Sequence, residues 1–414
     1  MGANPNVLGT LDAEGGAAFK RADARRAPKI LYVSPHFAPA WQYGGLVEAV
    51  YQFARHVTRA GAEVSVLTTD ADGPGASLES NRLEAYQHGN LSVRYCRRLM
   101  RNSVSIEMVR CLLPHIRWAD AVHLHAAYSF PTIPTMLAAR IAGKPLLWTP
   151  HGGLQRWEGS RRVVSKAIWD TVCAAAAPRR MILHATSREE AAESAKRFPR
   201  APIEVIPNGV AIPATLTRSA RGGLLRLGFI GRLDPKKGIE NLLAACKQLG
   251  DGHEVEFSLV IAGSGEPAYV EKLSAMIRSL GLGSRVTMAG DLRGAAKTHF
   301  FESIDVAVVP SYTENFAIVV AEALAHGAAV IASQGTPWSD VERVGCGLWV
   351  DNSSASLAEA IARIGAMPLG EMGAKGRDWM IREFSWERCA SRMLDCYQRL
   401  ITAGHRLSIA AAMN

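Results

Sequence analysis

Along the chain, short runs of apolar residues alternate with longer stretches in which apolar residues recur every three to four positions, and they do so in both halves. Buried strands produce the first pattern and amphipathic helices the second. Their regular alternation is the signature of βαβ units, parallel sheets covered by helices. In the first half the predicted strands are KILYVSP (29–35), EVSVLTT (63–69), AVHLH (121–125), PLLWTPHG (145–152) and MILHATS (181–187). A helix is predicted over VEAVYQFARHVTRAG (47–61), with Gly61 as its stop. In the second half they are LRLGFIG (225–231), FSLVIAG (257–263), RVTMAG (285–290), DVAVVPS (305–311), AAVIAS (328–333) and GLWVD (347–351). The fold class read from this pattern is α/β, a Rossmann-like sheet repeated twice.

A chain of 414 residues suits two domains, at roughly one per 100–200 residues, and two domains imply a cleft. The joint is expected near IEVIPNGV (203–210), where Pro207, Asn208 and Gly209 interrupt the pattern. That predicts one domain over 28–205 and another over 206–384. The last helix, near 385–404, has no strand after it and is expected to pack back across the first domain, so that 385–414 complete it. Residues 1–27 lack the apolar core of a signal peptide and read as a disordered tail.

Composition narrows the class. No run approaches the 18 apolar residues of a membrane span, so a soluble protein is expected. The seven cysteines are scattered and never spaced Cys-x-x-Cys, which argues against a zinc site or a disulfide framework and for reduced cytoplasmic thiols. The net charge of +9 lies wholly in residues 1–211, which hold 26 Lys and Arg against 17 Asp and Glu, whereas the remainder is balanced. A basic half can face nucleic acid, a membrane surface or an anionic substrate. Nucleic acid is the weakest of these, because no zinc finger, RNA-recognition aromatic motif or basic heptad helix is present.

Open α/β sheets bind ligands beyond the carboxyl ends of their strands, so the turns there carry the candidate chemistry. In PSYTENFAIVVAEALAHG (310–327) a helix predicted to start near Phe316 would aim free N–H groups at an anion, between Glu314 and Glu322. Eight helical residues span about 12 Å, the distance from a sugar ring across a diphosphate to a ribose. An arbitrary pair of glutamates would be a turn residue and a solvated helix position, but Glu322 stands in an apolar stretch. In GFIGRLDPKKGIENLLAA (228–245), Arg232 and Lys237 are placed to neutralise a leaving diphosphate without a metal. Gly44 and Gly45 in YGGLVEAV permit close backbone approach to phosphate or serve a simple turn. His151, in WTPHGGLQRW, is either a core residue bonded to backbone or a group touching a ligand's sugar. His123 and His125 in VHLHAAYSF are read as facing opposite sides of a strand, His125 toward the cleft and His123 buried. That placement of the histidines is poor for one metal ion, and no metal site is predicted. AGSGEPA (262–268) allows a dinucleotide fingerprint, but on the wrong βα turn.

Together these turns resemble glycosyltransferase family 4, group 1, of the GT-B fold, over nearly all of 29–400. The matching residues are Gly231-Arg232-Leu233 through Lys237-Gly238, Glu314-Asn315-Phe316-Ala317 through Glu322, and the hinge VIPNGV (205–210). The resemblance implies a retaining, metal-independent enzyme without a cofactor, taking a hexosyl group from a UDP- or GDP-sugar. Arg232 and Lys237 would hold the diphosphate, and Glu314 with the backbone of Asn315, Phe316, Ala317 and Ile318 the sugar hydroxyls. Glu322 would hold the ribose, Gly45 would approach phosphate or acceptor with Gly44 beside it in the donor-binding set, and His151 would lie against the donor sugar. Gly263 joins the donor-binding set, and His151, Arg232, Lys237 and Glu314 form the catalytic set. The domain over 206–384 would then bind the donor and that over 28–205 the acceptor. Ala317 stands where Gly is usual, which a negative φ would tolerate.

TPW (336–338) with CGLWVD (346–351) resembles a bacterial branch assembling surface polysaccharides, which implies a glycan or polyprenyl-diphosphate-linked acceptor. The stretch QRWEGSRRVVSKAIWD (155–170) interleaves basic residues with Trp157 and Trp169, as an interfacial helix would. Trp157 and His125 are therefore placed on the acceptor side, and peripheral attachment to an anionic inner membrane surface is expected. A dinucleotide-dependent oxidoreductase and a non-catalytic sugar-nucleotide binding protein are the alternative readings.

Overall fold

The computed structural model describes residues 7–8, 26–73, 75–79, 89–155, 163–218, 222–252 and 255–412. Most of the tail 1–27, and Trp157, lie outside the described residues. The chain divides into two compact units, Met1–Gly209 with Trp386–Asn414, and Val210–Ser385.

The first unit contains β1 (Val7–Leu8), β2 (Lys29–Val33), β3 (Glu63–Thr69), β4 (Leu91–Cys96), β5 (Ala121–His125), β6 (Leu146–Thr149), β7 (Met181–Ala185) and β8 (Ile203–Val205). They form one sheet in the order β1-β8-β7-β6-β5-β2-β3-β4, with every neighbouring pair parallel. β2, β5 and β6 sit in its middle and are buried on both faces, which is why they read as continuous apolar runs. β4 is an edge strand with alternating buried and exposed residues and β8 has three residues, so neither stood out from the pattern.

The helix Trp386–Ala412 closes this unit. Its Trp386, Cys389, Ala390, Met393, Cys396, Tyr397 and Leu400 recur at helical spacing and share a core with Val47, Val50, Phe53 and Val57 of the helix Gly45–Arg59. The Trp386 ring meets Phe53 edge-on at 5.2 Å and stacks on His56 at 5.6 Å. A Cβ on Gly209 would fall 2.4 Å from that indole, so the last residue before the second unit has to be glycine.

The second unit contains β9 (Leu225–Ile230), β10 (Phe257–Ala262), β11 (Val286–Gly290), β12 (Val306–Val309), β13 (Ala329–Ser333) and β14 (Gly347–Val350). The order β11-β10-β9-β12-β13-β14 is again all parallel. β9 lies between β10 and β12, so the winding reverses there and a crevice opens at the carboxyl ends of β9 and β12. Apolar cores fill both faces of the sheet.

At the opposite end of β9 and β12, Asp305 takes the Arg226 backbone N–H at 2.9 Å, its Nε at 3.0 Å and Nη2 at 2.7 Å. Burial alone would raise the Asp305 pKa, but the Arg226 side chain and backbone hold it below the usual carboxylate value. Its folded pKa being depressed, the pair stabilises fully above the unfolded carboxyl pKa and is lost as pH falls through the folded one. Asp305→Ala is therefore expected to cost about 3 kcal/mol at pH 7 by leaving a guanidinium without its partner. Urea unfolding checks this, and the deficit against wild type should shrink below about pH 4.

Candidate active site

Because β12 pairs with β9 on one side and β13 on the other, the loops leaving these three strands meet. Tyr312 N–H donates to Lys236 O at 2.9 Å and Glu314 N–H to Gly335 O at 2.8 Å, which clasps the acidic turn between the two neighbouring loops. Glycine is needed at both contacts: a Cβ would fall 2.1 Å from Pro310 O at Gly238 and 2.3 Å from Tyr312 O at Gly335. The clasp joins Lys237 Nζ to Glu314 Oε1 in an ion pair that is mostly shielded from solvent, and Ser311 Oγ donates to the same oxygen at 2.7 Å. Arg232 is exposed and has no ion-pair partner among the described residues. Glu322 accepts Lys297 Nζ on Oε1 at 2.5 Å, while its buried Oε2 has no partner among the described residues.

The helix of the acidic turn spans Ile318–Ala325, so it starts two residues later than the pattern predicted. Ala317 is its N-cap, with φ 56° and ψ 64°. The condition under which alanine would be tolerated, a negative φ, is not met: this left-handed conformation strains any residue with a Cβ, which accounts for a position that glycine suits. The Phe316 side chain is core, packed against Trp338 at 5.3 Å, and the Trp338 indole donates to Phe316 O at 2.5 Å. Ile318 and Asn315 are half-buried. The loop Ser333–Trp338, which holds the turn through Gly335 and Trp338, was missed as a site element; its signal was the small residues just beyond a predicted strand. Gly263 answers first to packing, since a Cβ there would lie 1.8 Å from Gly231 O.

In the first unit, β2, β5 and β6 are neighbours, and Gly44, His125 and His151 follow or end them. Gly44 caps the helix Gly45–Arg59 at φ 70° and ψ −144°, a conformation open only to glycine, and a Cβ on Gly44 or Gly45 would meet nothing within 4 Å. His123 and His125 do not face opposite sides. Residues two apart on a strand share a face, and their rings lie 3.9 Å apart. Both are buried, and His125 Nδ1 meets His151 Nε2 at 3.1 Å. His151 has φ 52°, and the turn after it is held by the fully buried Glu190, which accepts Gly152 N–H at 2.5 Å and Thr186 N–H at 2.7 Å. Burial, with repulsion from His184, pushes His151 down to about 3, so its imidazole is neutral. Trp169 is half-buried against the core of the first unit and donates its indole N–H to Ala127 O at 3.0 Å. Among the described residues one group, Cys96, Glu107 and Cys111, has ligand atoms within 4.8 Å of one another, but Arg94 and the Arg97 N–H already occupy Glu107.

Two parallel Rossmann-like units with clustered loops at their strand ends are the architecture of the GT-B class. The chain belongs to glycosyltransferase family 4: residues 43–212 match Glycosyltransferase Family 4 and residues 220–376 match Glycosyl transferases group 1. A D-inositol 3-phosphate glycosyltransferase of Xylanimonas cellulosilytica is 27% identical, over 90% of this chain and 97% of its own. A phosphatidyl-myo-inositol mannosyltransferase of Mycobacterium leprae is 28% identical, over 70% of this chain and 76% of its own. Among solved structures, Anabaena Alr3699/HepE in complex with UDP and glucose shares the fold at a TM-score of 0.70 with 19% identity, over 90% of this chain and 99% of that one.

The strain at Ala317 is directly testable. Ala317→Gly should raise the free energy of unfolding by up to about 1 kcal/mol, and the β-branched Ala317→Val should lower it by about 2 kcal/mol or more. Denaturant unfolding of the two variants beside wild type measures both signs. A destabilised glycine variant would contradict the left-handed assignment.

Proposed function

We propose that this glycosyltransferase transfers a hexosyl group, with retention and without a metal, from a nucleotide-diphosphate-sugar to a hydroxyl of a glycan or lipid-linked acceptor in surface polysaccharide synthesis. The observation that carries the donor assignment is the clasped turn, in which Lys237 is tethered to Glu314 and Arg232 of the same basic loop has no ion-pair partner among the described residues. Lys237 has three N–H donors and gives one to Glu314, which leaves two for phosphate oxygens. Arg232 adds a forked guanidinium. Glu314 accepts sugar hydroxyls beside the backbone of 315–318, and Glu322 accepts ribose hydroxyls on its Oε2, which has no partner among the described residues. His151 addresses the donor sugar. UDP accompanies glucose in the Anabaena neighbour, which supports a UDP-sugar among the candidates.

In the step itself the acceptor oxygen bonds the anomeric carbon on the face from which the diphosphate departs. The carbon–phosphate-oxygen bond breaks, and the acceptor proton passes to a leaving phosphate oxygen. Arg232 and Lys237 stabilise the charge that separates. The relatives named for inositol 3-phosphate and phosphatidyl-myo-inositol support a second acceptor reading, an inositol-bearing hydroxyl.

A membrane-side location is supported by an apolar surface on the first unit. The helices Ile106–Trp118, Thr132–Ile141 and Val163–Ala176 pack in series and expose Ile106, Ile141, Val164 and Ile168 among basic residues such as Arg110 and Lys166. No described helix is long and apolar enough to cross a membrane, so this surface would rest on one.

Release of nucleoside diphosphate from a panel of UDP- and GDP-sugars, in EDTA, with glycan and inositol phosphate acceptors tests the reaction. Glu314→Ala and Lys237→Ala should each lower kcat by about 100-fold or more in protein that still folds cooperatively; wild-type turnover in either would remove the donor assignment. Co-sedimentation tests the surface: vesicles carrying anionic lipid should retain the protein at low salt and release it at high salt. Equal partitioning onto neutral vesicles would count against it.

A further inference from the structure

The buried polar groups around β5 and β6 have only one consistent arrangement of protons. His184 Nε2 lies 2.8 Å from Ile206 O, a backbone carbonyl that can only accept, so His184 carries its proton on Nε2. Burial pushes His184 down to about 4 and holds His123 well below its usual value, so each ring is neutral with a single proton. His184 Nδ1 therefore accepts from Thr149 Oγ1 at 2.7 Å. The threonine proton being used, Thr149 Oγ1 accepts from His123 Nε2 at 2.6 Å, and His123 Nδ1 accepts the Tyr397 hydroxyl at 2.5 Å. The Tyr397 and Tyr32 hydroxyl oxygens lie 2.8 Å apart. Every proton in that chain is committed, and none is available to His125.

His125 lies against this network without joining it. Its ring is 3.9 Å from that of His123 and 5.0 Å from that of Tyr32, and it is fully buried and neutral. Its Nδ1 meets His151 Nε2, and its Nε2 has no partner among the described residues. One proton lies between the two rings. If His151 supplied it, the His125 proton would sit on Nε2 as a buried N–H with no acceptor. If His125 supplies it, only a lone pair is orphaned, the less costly of the two.

We propose that His125 is a positioning residue for His151: it donates its Nδ1–H to His151 Nε2 and so makes Nδ1–H the proton that His151 offers to the sugar nucleotide. His151 is thereby held at two points, its ring by His125 and the turn after it by the Glu190 carboxylate on Gly152 N–H. A ring pinned in one neutral tautomer presents a hydrogen-bond donor to a hydroxyl or phosphate oxygen with no rearrangement on binding. This assignment rests on the reading that His151 meets the sugar nucleotide.

Long-range proton–nitrogen NMR of the full chain, labelled with nitrogen-15 in histidine and without donor, reads the tautomer directly. His151→Gln identifies the signals, and those of His123 and His184 report whether the network is intact. Wild type should show His151 as the Nδ1–H tautomer. His125→Asn, whose amide N–H can replace the donated proton, should keep it, and His125→Phe should abolish it with His123 and His184 unmoved. An Nε2–H His151 in wild type, or an unchanged pattern in His125→Phe, overturns the proposal. Turnover separates it from the reading beneath: kcat should fall about tenfold or more in His125→Phe and recover in His125→Asn. Loss of the tautomer without loss of turnover would uphold the proton assignment and reject the role of His151.

Discussion

The second unit depends on the adjacency of β9 and β12. In a parallel sheet every strand delivers its following loop to the same edge, so strand order decides which loops touch. Here the order places the basic loop after β9 against the acidic turn after β12, with the Ser333–Trp338 loop after β13 completing the clasp. The two strands are locked at their other end by Arg226 and Asp305. A shift in their pairing would move Lys237 away from Glu314, so the chemistry of the edge inherits its precision from the sheet and not from the loops.

The same edges store backbone strain. Among the described residues five non-glycines have positive φ, and three of them lie in strand-end loops: Ala126 next to β5, His151 two residues after β6, and Ala317 at the start of the helix Ile318–Ala325. Each left-handed residue with a Cβ costs about 1–2 kcal/mol. That cost is sustained by specific bonds: Ala126 N–H donates to Thr149 O at 2.9 Å, Gly152 N–H to Glu190, and the Trp338 indole to Phe316 O. Strain held in place by buried hydrogen bonds is what pre-organised sites require.

Much of this was legible in the sequence. The central strands announced themselves because burial on both faces forces a continuous apolar run; β3 and β5 have the predicted bounds, and the six strands of the second unit differ by one or two residues at an end. β4 escaped because an edge strand buries only one face. The candidate residues stood out because ligand-facing turns break the apolar pattern with Gly, Arg, Lys, Glu and His. Interactions across loops were not legible. Nothing in the local sequence tells that Trp338 holds the turn at Phe316, that Glu190 holds the one after His151, or that Ala317 is left-handed, since each follows from three-dimensional contact. The histidine pair was misread for a simpler reason, the two-residue period of a strand.

Charge pairing explains how carboxylates and a phosphate-seeking loop can share one edge. A diphosphate brought near two bare glutamates would meet like-charge repulsion, worth several kcal/mol at partly buried sites. Here each glutamate is joined to a lysine, Glu314 to Lys237 and Glu322 to Lys297. Each pair is close to neutral as a unit, yet keeps acceptor capacity on the carboxylate for hydroxyls and donor capacity on the ammonium for oxygens. Arg232 and Lys236 of the same loop lie outside both pairs and have no ion-pair partner among the described residues. Under the proposed donor assignment the site would discriminate by position, an anion being drawn to Arg232 and the remaining donors of Lys237, and neutral hydroxyls to the glutamates. A single ligand that carries both, with the hydroxyls separated from one another by the anion, satisfies this arrangement, and a nucleotide-diphosphate-sugar has that order of groups.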